Sequence, residues 1–340
     1  MIELQTCGTP YERGLAQGTF AKYLAMPYLE DLISRFDRLY SPDEQRELIL
    51  PEIEVFKKLH PRGYEEIQGL CKGLGMDEET YFRASLSSRF ISKPKKCTTF
   101  GFLSQKGMPL IGKTDDIYFD ELGMNILERV IPEKGLKYTH LHFAGTIWTT
   151  SGMNESGLAI AMTGIPGGLH DTEGLSSLDA LSTILPVCTD VKEAVEHIKR
   201  LKVGFYGFSL MLGDPSGEIR LIEKNSNGTF EIGSTEYGFL LHTNTIICPE
   251  LSEKSFKTSA SIAGNSEKRY ISGMELGRKV SKDHAGVVSF ITEKEKYNIF
   301  QQGDHGLYTD YAVVLDPSCK GMTIFVQGRN GSVERYYERI

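Results

Sequence analysis

The chain has 340 residues, 40% hydrophobic and 24% charged, with 35 Gly, 17 Phe and 16 Tyr. That mix excludes collagen-like, coiled-coil and wholly disordered classes and suits one large or two modest domains. Thirty-eight basic against 45 acidic residues leave a net charge of −7, the wrong sign for a chain that must neutralise nucleic-acid phosphates.

The first 96 residues read as helix. Thr9-Pro10-Tyr11-Glu12 forms a helix start: Thr9 can cap the first free amides, Pro10 suits the first turn, and Glu12 can reach back. Leu29, Leu32, Ile33, Phe36 and Leu39 recur at helical spacing. So do Ile49, Ile53, Phe56 and Leu59, then Ile67, Leu70, Cys71 and Leu74. Asp77 before Glu78-Glu79-Thr80 opens a further helix that should run to about Ser88. Pro94, in the basic linker 92–96, forbids its continuation. Strand character follows over 97–104, 109–113, 138–143 and 158–163, short runs of β-branched or aromatic residues bounded by Gly. Helices are predicted over 176–185 and 190–201, the second capped by Asp190 with Val191, Ala194, Val195, Ile198 and Leu201 on one face. Strands return over 208–212, 218–223 and 239–243, then a helix over 266–281, then strands over 312–315, 322–327 and 333–337. Sheets covered by helices follow from that order, an α+β fold.

Met1-Ile2-Glu3-Leu4 lacks a basic region followed by an apolar run, and no stretch approaches about 18 apolar residues. A soluble, cytoplasmic protein with reduced thiols is the expectation, and the glycosylation patterns at Asn154, Asn227 and Asn330 are then chance matches. Gly107-Met-Pro-Leu-Ile-Gly112-Lys113-Thr114 matches the phosphate-loop pattern letter for letter. Such a loop needs successive backbone N–H groups on phosphate, and Pro109 has none, so a hairpin is the better reading. Nucleotide binding at Gly107 to Thr114 stays an alternative. Ser92-x-x-Lys95 has the spacing of a serine acylase dyad without its companion motifs, and it is rejected. The G-x-S-x-G elbow of serine α/β-hydrolases is missing. His140 and His142 alternate on a predicted strand, but no third ligand accompanies them at suggestive spacing, so they read as paired surface or core histidines. His305 beside Asp304 is likewise unsupported as a ligand.

Six cysteines, at 7, 71, 97, 188, 248 and 319, are too sparse for a disulfide scaffold. Cys97 stands apart, at the point where helical sequence gives way to strand sequence; a buried strand cysteine is the plain alternative. Cys97-Thr98-Thr99-Phe100, followed by Gly112-Lys-Thr-Asp-Asp116, resembles the acyl-coenzyme A:6-aminopenicillanate acyltransferase family of N-terminal-nucleophile (Ntn) hydrolases. That family is related to choloylglycine hydrolase and penicillin V acylase. Residues 8–18, the run Gly152-Met-Asn154-Glu-Ser-Gly157, the run Leu241-His242-Thr243-Asn244 and residues 309–328 resemble further family segments.

The resemblance implies a four-layer αββα sandwich in one globular unit, with a helical 1–96 segment and a catalytic region over 97–340. It implies that Cys97 attacks the carbonyl of Lys96 and divides the chain there into an α and a β chain. A freed α-amine titrates at about 7.7–8.0, so it can serve as the thiol's own base. By resemblance Cys97 is the nucleophile, Asp116 lies near the new amine and Asn244 donates to the oxyanion. Thr99, Asn154, Glu223 and Lys113 are supporting candidates, and Asp115 is a rival to Asp116. The sequence departs from the family at Lys96, where the penicillin-pathway member has Gly, at Lys113 and Thr114, where relatives often carry Gln or Arg and Asn, at Gln301 and Gln302, where Arg is expected, and after Gly328. No cofactor or metal is expected, and acyl-coenzyme A enters only as an acyl-donor substrate. The partners implied are a small N-acyl amide or acyl thioester, with no nucleic acid and no membrane; homo-oligomerisation stays open. An uncleaved, non-catalytic binding protein of the same fold is the alternative.

Overall fold

The computed structural model describes residues 1–90, 96–168, 173–233, 237–257, 260–303 and 306–340. Ser92, Pro94, Lys95, Asp304 and His305, singled out above, lie outside the described residues. Strand β1 (Ile2–Gly8) precedes helices α1 (Pro10–Leu39), α2 (Pro42–Leu59), α3 (Pro61–Leu74) and α4 (Glu78–Phe90). Strands β2 (Lys96–Leu103), β3 (Pro109–Tyr118), β4 (Asn125–Pro132), β5 (Tyr138–Phe143), β6 (Ser151–Asn154) and β7 (Ala159–Ile165) follow. Helices α5 (Ser177–Leu181) and α6 (Val191–Arg200) lead to β8 (Gly207–Gly213), β9 (Ile219–Asn225), β10 (Gly228–Ile232) and β11 (Phe239–His242). Helices α7 (Pro249–Glu253), α8 (Ala260–Gly277) and α9 (His284–Ile291) precede β12 (Leu307–Asp316), β13 (Gly321–Gln327) and β14 (Val333–Arg339).

The strands form an eight-stranded sheet, β1-β4-β5-β6-β7-β8-β9-β10, and a six-stranded sheet, β11-β2-β3-β12-β13-β14. Their inner faces meet through Ile111, Leu127, Leu141, Met153, Met211, Val313 and Ile324. The outer face of the larger sheet packs on the N-terminal helices through Ile126, Phe143, Ile160 and Leu210. Phe100 and Phe102 of the smaller sheet pack outward with Leu276 of α8 and Phe290 of α9. Helix, sheet, sheet, helix is the result, the four-layer α+β arrangement that the resemblance implies. Among the described residues no helix is long and apolar enough to cross a membrane.

Local chemistry explains the element ends. The Thr9 side chain accepts from the Glu12 amide while Glu12 reaches back to the Thr9 amide, the reciprocal cap expected from the sequence. Asp77 accepts from the Thr80 amide at 2.8 Å and opens α4. The segment before residue 96 is not wholly helical, however: β1 pairs in parallel with β4, burying Leu4 and Thr6. The helix expected over 176–185 stops at Leu181. Residues 107–114 form no phosphate loop: Gly107, at φ +72°, lies in the turn between β2 and β3, and Lys113 is fully buried in a strand. Nucleotide binding there is thereby overturned, because backbone amides already used in a ladder cannot converge on phosphate.

Helices α1 and α3 touch backbone to backbone. A Cβ on Gly14 would lie 1.9 Å from the Glu66 carbonyl oxygen, and one on Gly69 would lie 1.9 Å from that of Tyr11. Alanine in a helix is ordinarily favoured over glycine by about 1 kcal/mol. Here the obstacle is backbone, which cannot step aside as a flexible side chain would, and overpacking of that kind costs about 1–3 kcal/mol. Gly14→Ala and Gly69→Ala are therefore expected to lower the urea midpoint of unfolding; a raised midpoint would show that the helices separate freely.

Candidate active site

Strand alternation decides which side chains meet at Cys97. On β2, Phe100 and Phe102 face the α8–α9 layer, so Cys97, Thr99 and Gly101 face the space between the sheets. On β3, Ile111 lies between the sheets and Gly112 faces α9, which puts Lys113 and Asp115 with Cys97. Cys97 pairs with Asp115 in register, and Lys96 with Asp116. The two adjacent acids thus serve opposite faces of one sheet.

Between the sheets, Cys97 Sγ lies 3.4 Å from Asp115 Oδ1 and 3.7 Å from Lys113 Nζ. Lys113 Nζ is 2.5 Å from the same Asp115 oxygen and donates to the Tyr311 hydroxyl at 3.2 Å. Asn125 Nδ2 donates to Asp115 Oδ2 at 3.3 Å and to Asp310 Oδ2 at 2.7 Å. The Tyr311 hydroxyl also meets Thr150 Oγ1 at 2.7 Å and Ser151 Oγ at 3.1 Å. Beyond Asn125, Asp310 and Tyr311 opens a cavity of about 350 Å³ that Leu122, Gln327 and Arg329 also line.

Asn244 holds the backbone of the same cysteine. Its Oδ1 accepts from the Cys97 N–H at 3.0 Å and from Arg269 Nη2 at 2.7 Å, while its Nδ2 donates to the Gly164 carbonyl at 3.0 Å. An N–H and a guanidinium can only donate, so this amide has one orientation. Arg269, on α8, further donates to the Cys97 carbonyl at 2.6 Å and to Thr98 Oγ1 at 2.9 Å. Glu223 stands behind Asn244: it meets His242 Nε2 at 2.7 Å and accepts from the amides of Ile247 and Cys248. Thr99 is buried on the Cys97 face, and its hydroxyl has no hydrogen-bond partner. Asn154 lies elsewhere, fixing a turn through the amides of Ser156 and Leu158 and the carbonyls of Leu185 and Cys188.

Asp116 faces the α8–α9 layer, accepting from Thr309 Oγ1 at 2.6 Å. A register shift in β12 makes this contact: Thr309 lies opposite Asp116 and Tyr311 opposite Asp115, with Asp310 as the extra residue. In a regular strand Thr309 and Tyr311 would share a face. The bulge separates them, so that each acid of the pair has its own partner.

Burial dominates the protonation states. It pushes the Cys97 thiol up to about 12, a rise that Asp115 and Asp116 reinforce and Lys113 opposes. Burial also disfavours the Lys113 charge, yet Asp115, the thiol and Tyr311 outweigh it and hold the ammonium protonated. Lys96 falls to about 8 through burial first and Arg269 second. The Asp116 carboxyl rises to about 6, chiefly through burial, against the pull of Arg269 and Thr309.

Arg269, Asn125 and Tyr311 were not singled out in the sequence. Arg269 sits in a predicted helix, where an arginine reads as a solvated face, yet it is only 3% exposed. A buried acid also costs stability where it must ionise. Asp116 is neutral in both folded and unfolded chains below pH 3.8, and charged in both above about 6. The penalty is therefore absent in acid and complete at neutral pH, where it amounts to about 1–3 kcal/mol. Asp116→Asn is expected to be the more stable protein at pH 7, by denaturant unfolding, with the advantage vanishing below pH 3.8. Equal stability at pH 7 would show that Thr309 and Arg269 already compensate the charge.

The family model described as acyl-coenzyme A:6-aminopenicillanic acid acyl-transferase matches residues 103–328. None of the curated protein sequences matches the chain. Among solved structures, the Caenorhabditis elegans ortholog of N-acylethanolamine-hydrolyzing acid amidase is similar at 14% identity and a TM-score of 0.47, covering 65% of this chain and 93% of its own. A mutant of conjugated bile acid hydrolase from Clostridium perfringens is similar at 13% identity and a TM-score of 0.46, covering 71% of this chain and 96% of its own. With well over half of its residues inside the family match, the chain belongs to the acyl-coenzyme A:6-aminopenicillanic acid acyl-transferase family, and with it to the Ntn-type amidohydrolases and acyltransferases.

Proposed function

We propose that the protein is an autoprocessing cysteine amidohydrolase or acyltransferase whose acyl group is carried on Cys97. The observation that supports this reading is the convergence on one residue. Cys97 has its N–H on Asn244 Oδ1 and its thiol against Asp115 and Lys113, at the start of an internal strand. In the uncut chain, Sγ adds to the Lys96 carbonyl carbon as the thiol proton passes to Asp115. The Lys96–Cys97 C–N bond then breaks, the nitrogen takes that proton, and the Lys96 acyl group sits on sulfur until water releases it as a carboxylate. Residues 1–96 become one chain and 97–340 the other.

The cut changes the acid–base chemistry. A thiol near 12 gains, at its own nitrogen, an amine of ordinary pKa about 7.7–8.0. That amine takes the thiol proton as sulfur attacks the carbonyl of a small N-acyl amide or acyl thioester. It returns the proton to the departing amine or thiol. Lys113 stays protonated beside the developing thiolate, and Asn244 Nδ2, which the Gly164 carbonyl accepts from in the uncut chain, is the donor assigned to the oxyanion. Asp116, beneath Lys96 in register, lies on the far side of the sheet from the thiol, which suits it to the amine's backbone rather than to sulfur. Water or a second amine then takes the acyl group from sulfur, so acyl-coenzyme A is a donor substrate and not a cofactor.

Intact-mass measurement tests the reading. Wild type is expected as two chains, the larger beginning at Cys97, and Cys97→Ala as one uncut chain that forms no acyl product. Wild type that stays whole and inactive yet binds an N-acyl amide would favour a binding protein instead. In the mature enzyme Asn244→Ala is expected to lower kcat by about 100- to 1,000-fold. An unchanged kcat would remove Asn244 from the oxyanion role.

A further inference from the structure

On the face of the larger sheet turned away from Cys97, three buried side chains converge beneath α1. They are Glu128 of β4 and His140 and His142 of β5, whose neighbour Leu141 points to the opposite, inter-sheet core. Their ligand atoms all lie within 4.8 Å of one another. The sequence offered no third ligand for the two histidines because Glu128 comes from the adjacent strand, where it pairs in register with His140.

Hydrogen-bond chemistry makes this cluster unusual. His142 Nδ1 lies 3.0 Å from the Phe143 carbonyl, which can only accept, so the ring proton is at Nδ1. A neutral ring then turns the Nε2 lone pair on a carboxylate, because Nε2 is 2.8 Å from Glu128 Oε2. Two acceptors at that separation need a positive charge between them, either a second ring proton or a bound cation. His140 Nε2 lies 3.4 Å from the same oxygen and has no hydrogen-bond partner. The outer atoms of all three groups are already held. His140 Nδ1 meets Thr149 Oγ1 at 3.0 Å, His142 Nδ1 meets the carbonyl, and Glu128 Oε1 accepts from Thr6 Oγ1 at 2.5 Å. Such outer partners fix tautomer and aim in metal sites. A cavity of about 200 Å³ reaches Glu128 and His140 from the side of Gln17, whose buried Oε1 is also without a partner.

We propose that Glu128, His140 and His142 bind a divalent transition-metal ion of the zinc class, with the fourth position open to that cavity beside Gln17. Two imidazoles and one carboxylate are a donor set zinc accepts, and an i, i+2 pair on a strand presents both rings to one side. Thr6 and Gln17 both touch Glu128, so the ion sits where residues 1–96 meet the larger sheet.

The test uses the full, untagged chain, freed of metal with chelator and then given Zn²⁺ or Co²⁺. One equivalent per chain is expected after gel filtration, with a higher melting temperature as Zn²⁺ is added. The Co²⁺ form is expected to show visible tetrahedral bands without the near-ultraviolet band of thiolate ligation. His140→Gln and Glu128→Gln are each expected to weaken binding by more than about 100-fold, with near-ultraviolet circular dichroism checking the fold. Wild type that stays folded and takes up no metal overturns the site, leaving a His142 imidazolium paired with Glu128. Uptake that persists in the variants, or a thiolate band in wild type, overturns it equally by placing the ion at cysteine.

Discussion

The ion pair of Lys113 and Asp115, closed between two sheets, is the constraint on which the surroundings of Cys97 depend. Both side chains are almost wholly withdrawn from water, and their atoms stand 2.5 Å apart. Burying two charges costs more than their attraction returns unless other groups complete their hydrogen bonds. Asn125, from the larger sheet, supplies that to the carboxylate, and Tyr311, itself held by Ser151 of the larger sheet, to the ammonium. The network therefore spans both sheets, and the cysteine lies against its middle.

That placement gives the thiol a contradictory character. Lys113 favours a thiolate, but burial and two acids oppose it more strongly, so within an intact chain the thiol keeps its proton until a base takes it. On the reading proposed above, Asp115 is that base for the cut, and the freed backbone nitrogen is the base for every later turnover. No side chain has to be imported, because Asn244 and Arg269 already hold the amide and carbonyl of Cys97.

Sequence periodicity and capping chemistry carried the helices well: Thr9 with Glu12, Asp77 and Asp190 all cap where their side chains suggest. Strands were harder wherever charge interrupts the apolar pattern, as buried Glu128 and half-buried Arg129 do in β4. Cys97, Lys113 and Asn244, which the family resemblance singles out, lie together around one backbone position. Which of Asp115 and Asp116 meets the thiol was not legible, because the answer rests on strand parity and on a bulge at Asp310 with no sequence signature. Arg269 was hidden for a related reason, since a helix's buried face is set by what it packs on. Asn154 shows the converse, a residue that resembles a site motif and serves a turn.

Strand β1 and the close glycine crossing of α1 with α3 weave residues 1–96 into the larger sheet. If the bond at Lys96 is cut, nothing in that weave need move, since the cut ends at an internal strand. What changes is the order of the unfolding reaction. An intact chain unfolds as one molecule at any concentration, whereas two chains held by contacts alone obey mass action. The N-terminal segment becomes a very tight ligand of the rest. Dilution, to which the uncut chain is indifferent, then acts on the cut one as a denaturant.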